Sequence, residues 1–274
     1  MHPLLVPAFG ATIAVQVLFP LLLAAWVWWR FRVPRWISYF LFGALVFFVS
    51  QVVVRIPLLQ YLQSRFAGPL RSSPWILFAW IVFSSLTAGL FEEGGRYLGY
   101  RFLWKKGEER TWSQALLYGA GHGGIESIWV AWQVGMVLIY LLQGSWKTIP
   151  LTPVEQQGVE ALLSTPWWSP LLSALERVLT IAVHLSFSVL VLQVFRRGRF
   201  GWWWLAVGGH ALVDLLVAGL LAQYGPRLVG DAATVWLAQG ALLLFAGLSV
   251  WTVLRLRPSR EGKTPAASSP REGV

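Results

Sequence analysis

Seven apolar stretches, each long enough to cross a bilayer, leave this chain few ways to fold. They run at approximately 8–29, 37–60, 75–102, 113–142, 171–195, 200–222 and 232–254, and a helix needs about 20 apolar residues to span the hydrocarbon core. Backbone polar groups in lipid must be satisfied within the segment, so single runs of this length are helices. Composition agrees: 56% of the residues are hydrophobic and only 12% charged, against about 25% charged in soluble domains. The chain reads as an all-α, polytopic integral membrane protein of about seven transmembrane helices, multi-pass in the cell membrane. Residues 1–254 form one transmembrane helical domain. Residues 255–274, rich in Pro, Ser, Arg and Gly, read as a disordered cytosolic tail.

Orientation follows from the basic residues, which concentrate on the cytosolic side. One side carries Arg30, Arg32, Arg35, Arg101, Lys105, Lys106, Arg110, Arg196, Arg197, Arg199 and the basic residues of the tail; the other has Arg65, Arg71, Lys147 and Arg227. The N-terminus is therefore expected outside and the C-terminus in the cytosol, which needs an odd number of crossings. The first segment lacks a basic flank and a cleavage site, so it reads as a retained helix rather than a signal peptide. The net charge of +10 and 18 Trp do not indicate nucleic-acid binding, because the basic residues form short clusters between apolar runs rather than a stripe. Trp28-Trp29, Trp167-Trp168 and Trp202-Trp203-Trp204 fall at segment ends, as an aromatic belt requires. The connection at 143–170 holds an amphipathic stretch, Val154 to Leu163. It is either an ordinary loop or a helix lying flat at the outer interface as a lid.

Five of the twelve acidic residues and three of the four histidines lie inside the apolar segments: Glu92, Glu93, His122, Glu126, Glu176, His184, His210 and Asp214. An ionisable group in the bilayer interior is costly and is kept where it meets a partner, a metal or a water-filled cavity. At about 1.5 Å per residue, Glu92, Glu93, His122, His184 and His210 come out at one depth, about 12–16 Å from the cytosolic ends of their segments. His122 and Glu126 are four apart, as are His210 and Asp214 and also Glu92 and Arg96, while Arg177 and His184 are two turns apart, so each helix presents one polar stripe. Gly94, Gly95, Gly119, Gly121, Gly123, Gly124, Gly208 and Gly209 flank these residues, and small residues let membrane helices approach closely.

The chain has no Cys, which excludes thiolate nucleophiles and leaves His, Asp and Glu as metal ligands. Imidazoles with a carboxylate suit zinc, and hydrolysis at a metal-bound water activated by a glutamate is the chemistry this set supports. Arg96 beside Glu92 and Glu93 is expected to keep one of them ionised.

Phe91-Glu92-Glu93-Gly94-Gly95-Arg96-Tyr97, Gly119-Ala120-Gly121-His122-Gly123-Gly124-Ile125-Glu126, Glu176-Arg177 with His184, and His210 with Asp214 together resemble the motif set of the YhfC family of intramembrane metalloproteases. The match runs in order over segments three to six. That family is similar to the CAAX-prenyl-protease and bacteriocin-processing superfamily and to PrsW-type proteases. The resemblance implies Glu92 and Glu93, with Arg96, for water activation or metal binding. It implies His122 as a ligand, and His210 with Asp214 for metal or oxyanion contact. Two residues separate the double glutamate from Arg96, closer to the PrsW spacing than to the prenyl-protease one. Tyr118 stands where Phe is usual and Asp214 where Asn is usual. A carboxylate cannot donate to an oxyanion, so Asp214 is read as an additional ligand or an orienting group. His184 and Glu126 lack a counterpart in the prenyl-protease pattern; His184 is read as a third metal ligand and Glu126 as a further ligand or a group that orients a histidine.

The expected protein is an intramembrane zinc-dependent peptidase, with its catalytic core at about 75–222, open toward the cytosolic half of the bilayer and acting on a membrane-associated peptide or protein. Two other classes use the same residues: a proton- or metal-coupled transporter, and a membrane zinc hydrolase acting on lipid amides. Glu176 and Arg177 are read as an ion pair or a snorkelling arginine, and Arg55 as an interfacial residue.

Overall fold

The computed structural model describes residues 2–104, 108–144, 150, 152–224 and 231–258. Lys105, Lys106, Lys147, Arg227 and the tail from residue 259 onward lie outside the described residues. Seven helices are long and apolar enough to cross a membrane: α1 (Leu5–Phe31), α2 (Trp36–Arg65), α3 (Pro74–Leu103), α4 (Trp112–Gln143), α5 (Ser169–Arg197), α6 (Gly201–Tyr224) and α7 (Asp231–Arg255). No strand occurs among the described residues.

Helix ends follow the sequence chemistry. Ser73 caps α3 by accepting from the Ile76 amide, with Pro74 at the first position, where a missing N–H is harmless. Thr111 and Gln114 form a reciprocal capping box at the start of α4. Gly144 (φ 60°) and Gly198 (φ 65°) close α4 and α5 in the left-handed conformation that glycine adopts without strain. The connection after α4 contains a further helix, Pro153–Ser164, begun by a Thr152/Glu155 capping box. Hydrogen bonds from the Thr152 backbone and hydroxyl hold the Glu155 carboxyl below the usual carboxylate range. Its Leu162 and Leu163 pack on Leu5, Phe9 and Leu141, so this stretch is a docked helix rather than an irregular loop.

Two helices widen to π geometry, α2 over Phe48–Arg55 and α6 over Asp214–Leu221. In α2 the cause is legible. Pro57 lacks an amide hydrogen and its ring crowds the carbonyl four residues back, so the preceding turn opens. In α6 Gly219 lies so close to α3 that an added Cβ would sit 2.5 Å from the Ile81 side chain.

In lipid there is no hydrophobic gain from bringing apolar helices together, so the bundle depends on close van der Waals packing. α5 is the hub: 67% of its apolar core is buried, against 17–33% for the other six, and it packs on α1, α3, α4, α6 and α7. At Gly121 of α4 a Cβ would fall 1.9 Å from the Phe40 carbonyl oxygen, and at Gly43 of α2 it would fall 2.1 Å from that of Tyr118. These two glycines let α2 and α4 touch backbone to backbone. The close-approach expectation holds along α4 and at Gly95 and Gly209, but not at Gly94 and Gly208, whose Cβ positions face open space.

The connections divide the bundle into two ends. At one, α1–α2, α3–α4 and α5–α6 are joined by short links; at the other lies the long connection with helix Pro153–Ser164.

Candidate metal centre

Four helices bring their polar stripes to one point. Glu92 of α3 places Oε2 3.0 Å from His122 Nε2 of α4, 3.6 Å from His210 Nε2 of α6 and 3.9 Å from His184 Nδ1 of α5. Ligand atoms of Glu92, His122 and His184 all lie within 4.8 Å of one another, and all three residues are buried. The ring centroids of His122 and His184 are 5.2 Å apart, and those of His184 and His210 5.6 Å. Phe47 packs edge-on against His122, and Phe187 stacks on His210.

The outward nitrogens of two of these rings are already engaged. His184 Nε2 is 2.5 Å from Glu126 Oε2, and Arg177 donates to Glu126 Oε1 at 2.7 Å. His210 Nδ1 is 2.9 Å from Glu93 Oε1. Arg96 Nε lies 3.2 Å from Glu93 Oε2, with both side chains fully buried. A carboxylate only accepts, so the ring nitrogens facing Glu126 and Glu93 carry protons. In the neutral rings, His184 Nδ1 and His210 Nε2 then turn lone pairs toward the Glu92 carboxylate. Two lone pairs and an anion converging in a buried site attract positive charge; Arg96 supplies some of it beside His184 Nδ1, and a cation among the three groups would supply the rest. The donor set, imidazoles with a carboxylate, is the one zinc-type ions take, and a carboxylate behind each of two histidines is the usual device for orienting such ligands. The residues present therefore fit a divalent metal.

The structure redistributes some expected parts. Arg96 pairs with Glu93 rather than Glu92 and also donates to the His184 carbonyl oxygen at 2.9 Å and Ser188 Oγ at 2.7 Å. Fully enclosed by protein, it positions Glu93 and α5, and its Nη2 lies 3.5 Å from His184 Nδ1 at the edge of the centre. Asp214 makes no hydrogen bond or ion pair among the described residues, although His210, Glu126 and Arg55 are its electrostatic neighbours. His210 and Asp214, four residues apart, remain electrostatic neighbours at the point where α6 widens into its π segment. Glu176 and Arg177 do not pair with each other: Glu176 accepts from Gln239 at 2.6 Å, and Arg177 joins His184 on Glu126. Arg55 points into the bundle and donates to Gln51, Thr87 and the Ser84 carbonyl.

Sequence reasoning missed Trp203, whose indole donates to the Glu93 carbonyl oxygen at 2.9 Å and so tethers α6 to the glutamate turn. It missed Ser188 as well. Neither residue type carries a signal in a chain rich in Trp and Ser.

A carboxylate–imidazole cluster buried across four helices of a membrane bundle defines a polytopic membrane protein with a metal-competent interior. The family model described as YhfC intramembrane metalloprotease matches residues 17–230, and the chain belongs to that family. It is 31% identical over 248 residues to "Uncharacterized membrane protein YhfC" of Bacillus subtilis (strain 168), covering 84% of this chain and 89% of that protein.

Proposed function

We propose that this protein is an intramembrane, zinc-dependent peptidase that hydrolyses a peptide bond of a membrane-associated substrate, with Glu92, His122, His184 and His210 around the metal. The observation that carries the reading is the convergence of three imidazoles from α4, α5 and α6 on one Glu92 oxygen, in a chain whose family is described as metalloproteases. An ion of this kind, when bound, supplies Lewis acidity that acidifies water to near neutrality and polarises a carbonyl.

The chain's own residues divide the remaining work. Glu92 is the carboxylate that faces the centre, and it holds or receives the proton that water loses. Glu93, held by Arg96, keeps His210 in the tautomer whose free nitrogen faces inward, and Glu126, held by Arg177, does the same for His184. The paired glutamates thus have different roles: one is at the centre, and its neighbour sets a histidine. Buried Arg96 prevents Glu93 from being an isolated charge in the bundle. The basic-residue distribution supports an outside N-terminus and a cytosolic C-terminus.

The test is purification from zinc-supplemented cells followed by metal analysis and proteolysis of a detergent-solubilised transmembrane reporter. Wild type should hold metal and cleave. Glu92→Gln should stay folded and lose cleavage; normal cleavage by Glu92→Gln would overturn the assignment.

A further inference from the structure

Four charged side chains outside the ligand set lie within the membrane-spanning helices: Glu126 and Asp214 near the middle of α4 and α6, and Arg55 on α2 and Arg177 on α5 nearer the long-connection end. All four lie to the same side of the cluster. Glu126 is one turn beyond His122, Asp214 one turn beyond His210 and Arg177 two turns from His184, each toward the end that carries helix Pro153–Ser164. Arg55 is two turns beyond Phe47, whose ring touches His122. None of the four is enclosed. The side chains of Glu126 and Arg177 are 24% and 16% exposed, whereas those of Glu93 and Arg96 are 0% exposed. A charged group in mid-membrane with accessible surface faces water rather than lipid.

The helices separate at this level. The α-helical part of α2 packs extensively on α4, and that of α6 packs on α5; their π segments pack instead on α3, and in α6 on α7, with at most slight contact to α4 and α5. The two π segments thus flank α3 with little backbone contact to α4 and α5. On one wall lies Arg55, bonded to Gln51, Thr87 and the Ser84 carbonyl but to no carboxylate. Asp214 stands near it, also without an ion pair, and the buried Gln51 Nε2 has no partner. The other wall carries the Arg177–Glu126 pair.

The other side of the cluster is sealed. Every residue of α4 from Trp112 to Gly124 is buried. Tyr100 packs on Tyr118 and Trp104 at centroid distances of 4.6 and 4.8 Å, and Tyr39 packs on Trp104 at 5.3 Å. Water cannot pass such a layer without its opening.

We infer that the centre is reached from the long-connection end, through a hydrophilic cleft between the π segments of α2 and α6 on one side and α4 and α5 on the other, which admits water and an extended peptide segment to Glu92. This rests on the peptidase reading for the peptide and reverses the expected access from the cytosolic half, because the packed aromatic layer lies on that half. An extended segment suits the walls: unpaired backbone N–H and C=O groups need partners in a membrane, and Asp214 can accept while Arg55 donates.

The chain has no cysteine, so single cysteines report access without background. Thr87→Cys and Asp214→Cys probe the cleft, Ala120→Cys the sealed side, and exposed Ser164→Cys and Ser38→Cys the two membrane faces. A membrane-impermeant cationic methanethiosulfonate is added to one face of sealed vesicles. From the face that modifies Ser164→Cys it should modify Thr87→Cys and Asp214→Cys to completion, with Ala120→Cys unmodified. Modification of the cleft cysteines only from the Ser38→Cys face, or from neither face, would overturn the inference. Thr87→Cys touches no candidate ligand and keeps the test valid if Asp214→Cys folds poorly. The readout is blind to hydrolysis, so a chain that binds no metal would still reveal the cleft, and a missing cleft would leave the metal analysis to judge the centre.

Discussion

The two halves of this bundle, divided at the level of Glu92, solve opposite problems with the same helices. Toward the short links, α4 is buried on all sides, α2 meets it backbone to backbone at Gly43 and Gly121, and the polar groups are neutral or fully paired. Toward the long connection, the same α2 and α6 loosen into π turns and expose mid-membrane charge. One half fixes the histidines by close packing; the other gives up packing for access. A buried polar centre that must still be reached needs both, and the boundary falls where His122 gives way to Glu126 and His210 to Asp214.

Substitutions can break this contrast. The largest effect is expected at its boundary: His122→Ala should lower proteolysis of a transmembrane reporter by about 10²–10⁴-fold without loss of membrane insertion, and activity near wild type would remove the cluster from the mechanism. In the closed half, Gly121→Val should prevent α2 and α4 from meeting. Overpacking typically costs about 1–3 kcal/mol, and collision with the Phe40 backbone should reach or exceed that, seen as a lower melting temperature in detergent. Glu126→Leu, at the edge of the open half, should weaken metal binding by about 10–100-fold through loss of the acceptor that orients His184. Competition with a chelator measures it, and unchanged affinity would mean that Glu126 serves only Arg177. Smallest is Gly208→Ala, whose new methyl meets open space and should shift stability by less than about 1 kcal/mol. A large loss there would show that the approach of α6 is tighter than described.

The number of helices and the identity of the central residues were legible because hydropathy and mid-membrane charge are strong local signals. His122, His184 and His210 share a depth that helix rise alone predicts, and Arg177 with His184 two turns apart do meet one carboxylate. What spacing could not supply was partner choice. Arg96 is within one turn of both glutamates, and only the approach of α5 and α6 assigns it to Glu93 and assigns Glu92 to the histidines. Asp214 shows a second limit: it stays an electrostatic neighbour of His210, but helix spacing could not tell that it takes no hydrogen-bond partner among the described residues. The inferred direction of access departs from the sequence reading for a third reason: side-chain packing between distant aromatic residues lies on one side of the cluster, and no local pattern announces it.

The proposed peptidase chemistry depends most on a cation held by the three histidines and Glu92. Metal analysis of protein purified in zinc-supplemented, chelator-free buffer, wild type beside His122→Ala and His184→Ala, tests it directly. About one zinc-type ion per chain is expected in wild type, as for a single mononuclear site, with most of it lost in both variants at equal folded yield. Wild type without stoichiometric metal, or variants that keep it, would contradict the account.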